Sequence, residues 1–257
     1  MRAYAPGSVT SMFAPAEDGS HGVSFATADG VVADVRRATS TTVTLDGDPT
    51  SFEPVELACE ALDVDARVGL TAEVPVGRGF GASGAATLAT VLAADAEWDL
   101  GHEREELVEV AARADIEAGT GLGDVYVQES GGLLWNVGEG RQRRERTDEL
   151  SYISYGDVAT AEVLADDAAL QRAATAADEA FPRFDPDASL AELFDLSWEF
   201  ARETDLVTDR VREAVERVQD ADGAATMAMV GETVVASAPD ALDRRTRITP
   251  DGARLLD

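Results

Sequence analysis

Lysine is missing from this chain altogether: all 21 basic residues are arginines. Without lysine there is no Schiff-base chemistry, and no Walker A loop, which needs Gly-Lys-Ser/Thr. A single cysteine, Cys59, excludes an intrachain disulfide and any cysteine-based metal cluster; a buried, inert thiol is its expected state. Two histidines, His21 and His102, are too few for a histidine-rich metal site. No stretch approaches the roughly 20 apolar residues of a membrane helix, so no span is expected. The opening Met1-Arg2-Ala3-Tyr4-Ala5-Pro6-Gly7 has no apolar h-region, so no secretory signal is expected and the compartment reads as cytoplasmic.

Acid is present in large excess. Fifty Asp and Glu against 21 Arg give a net charge of −29. Such a surface repels nucleic acid and anionic membranes, which excludes both as expected partners. In dilute salt these charges also repel one another and oppose compaction. Molar salt shortens the screening length to about 3 Å and removes that penalty. A cytoplasm of very high salt, as in haloarchaea, is therefore the natural setting. Hydrophobic residues make up 45% of the 257, too many for an acidic disordered chain. The length suits one large domain or two modest ones.

Residues 1–75 read as strands and turns. Residues 31–35 and 41–45 are rich in β-formers, and Asp46-Gly47-Asp48-Pro49 is a turn signal. Residues 53–62 read as a short helix and 67–74, alternating apolar and polar, as a strand. The small apolar run 85–94 reads as a buried helix, and 103–118 as a second helix. Residues 125–135 contain Gly131-Gly132 and further β-type residues. Arg141, Arg143, Arg144 and Arg146 form a polar stretch expected to be a solvated face, with a regulatory anion site as the lesser alternative. A domain boundary is placed there, dividing 1–145 from 146–257. Helices are expected at 157–180, 190–204 and 207–219. A closing hairpin is expected with Gly231-Glu232 as a type II′ turn. Helices and strands without strict alternation indicate an α+β protein of two layers.

The most informative segment is Pro75-Val76-Gly77-Arg78-Gly79-Phe80-Gly81-Ala82-Ser83-Gly84, between a strand and the buried helix. Glycines let backbone amides approach a ligand, and a helix N-terminus adds unpaired N–H groups and partial positive charge. Together they suit phosphate, with the Ser83 hydroxyl at the helix mouth. The plain alternative is a tight turn capped by Ser83. Residues 79–84 also match the dinucleotide pattern G-x-G-x-x-G, but the second strand that pattern needs is missing, since one helix leads into another.

Two carboxylates follow. Leu107, Val110, Ala114 and Glu117 fall on one helical face, so Glu117 is expected to continue a buried stripe. There it would either pair with Arg, lie at a frayed end, or ligate Mg²⁺. Asp124, closing Gly121-Leu122-Gly123-Asp124, is either a turn residue or the group that orients or deprotonates a substrate hydroxyl.

Together, Pro75, Gly79, Gly81, Ser83 and Ala85 resemble the central loop of the GHMP kinases. Ala5-Pro6-Gly7-Ser8 resembles that family's N-terminal segment, and Gly121-Leu122-Gly123-Asp124 with Gly131-Gly132 its downstream segment. The resemblance covers most of residues 1–135. It implies an α+β fold with an N-terminal ribosomal-S5-like domain and a C-terminal ferredoxin-like domain. It also implies ATP-dependent phosphorylation of a small-molecule hydroxyl. ATP phosphates would lie on Gly77, Arg78, Gly79, Gly81, Ala82, Ser83 and Gly84. Mg²⁺ would contact Ser83 and Glu117, and Asp124 would be catalytic. Ala5-Pro6-Gly7-Ser8-Val9-Thr10, Gly19-Ser20-His21-Gly22, Thr120-Gly121-Leu122-Gly123-Asp124-Val125 and residues 227–233 narrow the resemblance to an archaeal branch that acts on the hydroxy acid pantoate, on the route to coenzyme A. Its carboxylate would need donors, for which Ser20, His21, Gly22 and Arg78 are candidates. Many family members carry Lys where Ser8 stands, and the C-terminal glycine motif is reduced here to Gly223. A homoserine-, shikimate- or mevalonate-type alcohol, or a non-catalytic binding role, remain the alternatives. A homodimer is compatible with the sequence.

Overall fold

The computed structural model describes residues 1–16, 19–121, 123–156 and 166–257. The chain opens with two long antiparallel strands, β1 (Arg2–Ala16) and β2 (Gly19–Arg37). Their register shifts between Pro6 and Gly7 and again between Thr10 and Met12. Such irregularities bend a strand and re-aim its side chains. Thr42–Leu45 (β3) and Asp48–Thr50 (β4) form a small hairpin, turning at Asp46 and Gly47 as expected. The helix α1 (Glu53–Ala61) and the strand β5 (Ala66–Ala72) follow. The first sheet runs β12-β1-β2-β5-β3-β4, where β12 is Arg254–Leu256 from the far end of the chain. The early part of β2 also pairs with β6 (Leu133–Asn136), which pairs with β7 (Gln142–Arg144).

Helix α2 (Ala82–Trp98) packs against β1 and β2. Every residue from Gly84 through Ala94 is buried. Alanines let the helix lie close to the sheet, while Leu88, Val91 and Leu92 each contribute about 1.5–3 kcal/mol by leaving water. Helix α3 (Arg104–Glu117) packs on α2 and starts with a reciprocal capping box between Glu103 and Glu106. Helix α4 (Asp124–Ser130) occupies a stretch whose β-branched residues suggested strand. Burial of Val125, Val127 and Gln128 outweighs that local preference.

The second sheet is antiparallel, in the order β11-β8-β10-β9. Its strands are β8 (Glu149–Ser154), β9 (Ala225–Met227), β10 (Thr233–Ala236) and β11 (Arg244–Arg247). In chain order that is 4-1-3-2, as in ferredoxin-like folds. Three described helices lie between its first two strands: α5 (Asp167–Ala180), α6 (Leu190–Glu203) and α7 (Asp209–Gln219). The beginning of the helix expected at 157–180 lies outside the described residues. Side-chain caps from Asp166, Ser189 and Thr208 start α5, α6 and α7. The sheets part between Arg144 and Glu149, yet β12 returns to β1.

The hairpin β9–β10 differs from expectation. Gly231 is not among the positive-φ glycines, so the type II′ turn is not formed. Instead Ala228 still donates to the Thr233 carbonyl at 2.9 Å, and the Met229 amide then turns away to the Thr10 carbonyl at 2.8 Å. Pairing across sheets wins over the short turn and carries Met229 and Val230 to the cleft. Among the described residues no helix is long and apolar enough to cross a membrane.

Candidate active site

Beyond β5 the chain turns through Gly77, Gly79 and Gly81, all at positive φ. Gly79 tolerates no side chain: a Cβ there would stand 2.9 Å from the Ala228 carbonyl. At Gly81 it would collide with Ser8 Oγ. Gly81 caps α2 without a side-chain hydrogen bond, and the first turn of α2 carries no acid. The open N–H groups of a long helix therefore face a cavity of about 400 Å³. Gly77, Arg78, Gly79, Gly81, Ala82 and Ser83 line it. Gly84 does not; it lies inside the helix, where a Cβ would meet Gln128 Oε1 at 2.8 Å, so its role is packing.

The carboxylate beside Ser83 is Asp115, not Glu117. Glu117 is exposed at the end of α3, so the expected face is corrected: the buried stripe runs through Leu107, Val108, Ala111, Ala112, Ala114 and Asp115. Asp115 is 1% exposed. Its Oδ1 accepts from Ser83 Oγ at 2.7 Å and from Thr120 Oγ1 at 2.6 Å. Burial raises its pKa, and those two hydroxyls hold it back. Gly121 closes tightly over it, since a Cβ at that position would run into Asp115 Oδ2.

Asp124 starts α4. Ser8 and Thr10, which alternate onto one face of β1, donate to its Oδ1 at 3.0 and 3.3 Å. Burial and the negative charge of Asp115 push its pKa up to about 6, against the pull of those hydroxyls. Behind it sits Gln128, fully buried. Its Nε2 donates to Ser8 Oγ at 3.1 Å and to the Gly81 carbonyl at 2.7 Å, while its Oε1 has no partner. One amide thus ties the glycine turn to the serine that holds Asp124.

A second, smaller cavity of about 100 Å³ opens on the other side of Asp124. Asp124, Met229 and Val230 line both cavities. Along β2, Ser20, Gly22 and Ser24 line the smaller one at the period of a strand, and His21, between them, does not. Arg78 lines the glycine-turn cavity instead. Arg141, read from sequence as part of a solvated face, lines the smaller cavity. Sequence reasoning thus missed Asp115, Thr10, Gln128 and Arg141 as site residues. A signal existed for Asp115, at the helical spacing of Val108, Ala111 and Ala112. None existed for Arg141, whose position depends on β6 pairing with β2.

The sequence profile of the family described as GHMP kinases N terminal domain matches residues 52–132. That stretch holds the glycine turn, Ser83, Asp115 and Asp124. Over residues 52–132 the chain is therefore similar to the GHMP kinases. A pantoate kinase of Methanospirillum hungatei is 24% identical over 248 residues, covering 89% of this chain and 84% of the relative. A mevalonate kinase of Archaeoglobus fulgidus is 31% identical over 102 residues, 39% of this chain and 35% of that protein. A solved phosphotransferase related to the coenzyme A biosynthesis pathway superposes with a TM-score of 0.83 at 20% identity, over 98% of this chain and 97% of that one. The α+β GHMP kinase fold therefore spans the whole chain, including the thin C-terminal motif around Gly223.

Proposed function

We propose that this GHMP kinase transfers the γ-phosphoryl group of ATP to the primary hydroxyl of pantoate, giving 4-phosphopantoate for coenzyme A synthesis. The observation that carries the proposal is that Asp124 stands where two cavities meet, one on a phosphate-suited helix terminus and one suited to a small polar molecule. The similarity to a pantoate kinase over most of both chains supports the choice of substrate.

In this reading the amides of the glycine turn and the α2 N-terminus hold the ATP phosphates. Asp124 orients the hydroxyl and accepts its proton as the new O–P bond forms. The bond from the γ-phosphorus to the bridging oxygen breaks, and ADP leaves. Holding both reactants in line supplies much of the rate. Ser8 and Thr10 fix the carboxylate through its Oδ1. Because Ser8 stands where many relatives have Lys, Asp124 works without a neighbouring ammonium group.

Mg²⁺ suits the donor set here, which offers hard oxygens only: Ser83 Oγ, Thr120 Oγ1 and the Asp115 carboxylate. One carboxylate with phosphate oxygens and water is a usual Mg²⁺ environment. When bound, the ion would neutralise phosphate charge. Ser83 and Asp115, rather than Glu117, would hold it. The substrate is small and soluble, and the cytoplasm is the fitting compartment.

ADP release with ATP, Mg²⁺ and a panel of alcohols in molar KCl tests the proposal. Turnover on pantoate and not on homoserine, shikimate or mevalonate is the expected result. Turnover on mevalonate alone would favour the second reading, which the mevalonate kinase match over 102 residues motivates. No turnover by folded protein would overturn both.

A further inference from the structure

The smaller cavity combines apolar walls, Phe13, Leu134 and Trp135 among them, with hydroxyl and amide groups from Ser20, Ser24 and Asn136. Among the described residues Arg141 is the single basic side chain in its lining. The Arg141 guanidinium carbon lies 3.3 Å from the centre of the Tyr126 ring. That ring is itself anchored, because its hydroxyl donates to Glu109 Oε1 on α3 at 3.1 Å. Arg141 also hydrogen-bonds the Tyr126 side chain, and the remaining N–H groups of a guanidinium over an aromatic face can still meet a carboxylate through two parallel hydrogen bonds.

Its neighbours are already committed. Arg143 pairs with Glu145 at 3.6 Å, Arg146 with Asp148 at 2.7 Å, and Arg144 with Asp187. Arg141 has no ion pair among the described residues. Exposed yet lining the cavity, Arg141 has no carboxylate partner there, in a chain of 50 acids and 21 arginines. The cavity's parts also converge. A Cβ on Gly123 would stand 3.6 Å from Tyr126 Cδ2 and 4.0 Å from Ser20 Oγ. The arginine's platform, a hydroxyl donor and Asp124 thus surround one glycine. An anionic acceptor entering here would otherwise meet Asp124 and a strongly acidic surface with no compensating charge.

We infer that Arg141 selects an anionic hydroxy acid: stacked on Tyr126, it grips the acceptor's carboxylate while the acceptor's hydroxyl reaches Asp124. The inference rests on the phosphoryl-transfer reading for the second half of that statement, and it moves the anion-binding role from His21 and Arg78 to Arg141. A neutral alcohol of the same shape is a poor acceptor.

Calorimetric titration of pantoate, and of neutral 2,2-dimethylpropane-1,3-diol, into wild type and Arg141→Gln in molar KCl tests this, with ADP release measured in parallel. Arg141 is exposed, so the variant folds, and equal melting temperatures check that. Loss of charge-assisted hydrogen bonds weakens pantoate binding about 10- to 100-fold. The preference for acid over diol falls with it, while the KM for ATP stays within about two-fold. Arg141→Lys recovers part of the loss, since charge returns without the fork. Equal pantoate affinity in wild type and Arg141→Gln overturns the inference. So does a wild type that binds no hydroxy acid, or one that binds and phosphorylates the diol as well as pantoate. Arg141-dependent binding without ADP release upholds the anion site and defeats the kinase reading instead.

Discussion

Asp124 carries a stability cost that its removal should expose. Its carboxyl titrates at about 6 in the folded protein against 3.8 for the free group, chiefly because burial disfavours the ionised form. The sign follows from linkage. A raised acid pKa means that the folded state holds the proton more tightly than the unfolded chain. The associated stability is complete below pH 3.8 and is gone once pH has risen through about 6. At pH 8 the ionised group therefore costs the fold up to roughly 3 kcal/mol, at about 1.4 kcal/mol per pH unit. This is an upper figure, because the side chain is partly open to both cavities. Asp124→Asn keeps an acceptor for Ser8 and Thr10 and cannot ionise. Its melting temperature at pH 8, without metal or nucleotide, should rise by up to roughly 6–12 °C over wild type. The gap should shrink as pH falls toward 4. The same variant should lose about 10²- to 10⁴-fold in kcat while still binding ATP. Wild-type turnover should itself decline below about pH 6, as the base becomes protonated. Scanning calorimetry at several pH values, beside ADP release, reads both effects. A variant that is less stable at pH 8 and turns over like wild type would refute both the electrostatic and the catalytic reasoning.

Three further outcomes are expected. Asp115→Ala should raise the Mg²⁺ concentration for half-maximal turnover at least about ten-fold, whereas Glu117→Gln should shift it less than two-fold; a Mg²⁺ titration of ADP release separates them. Gln128→Leu removes the donor to Ser8 and Gly81 and should cost about 1–3 kcal/mol by urea unfolding, with kcat falling more than the KM for ATP; an unchanged kcat would deny it a role in holding Asp124. With a net charge of −29, the melting temperature should climb steeply from dilute to molar KCl; a flat response would remove the reason to expect a high-salt cytoplasm.

What could be read from the sequence was local. The glycine turn before an apolar run marks a helix N-terminus whatever the rest of the chain does, so Gly77, Gly79, Gly81 and Ser83 could be placed together without a structure. The amphipathic patterns of α6 and α7 were equally plain, because period and caps are written within a dozen residues. Glu117 was misjudged for a physical reason. A face through Leu107, Val110 and Ala114 and one through Val108, Ala111 and Asp115 lie close together on α3, and only the packing on α2 chooses between them. The wrong turn type at Gly231 has the same origin. The local dipeptide suited a hairpin, but Met229 was captured by Thr10, more than 200 positions earlier.

That capture also explains why the site needs both sheets. Met229 and Val230 stand at the wall common to the two cavities, and the backbone of Ala228 lies against Gly79. The glycine turn is thus shaped by a strand end from the second sheet, while Asp124 is held by a strand of the first. In the proposed reaction, neither half alone would set the distance from the amides of the glycine turn to the acceptor hydroxyl. In-line transfer depends on that distance to about an ångström. The glycine at position 79 therefore serves two contacts at once. Its missing side chain would let amides reach phosphate in the proposed reaction on one side, and it admits the Ala228 carbonyl on the other.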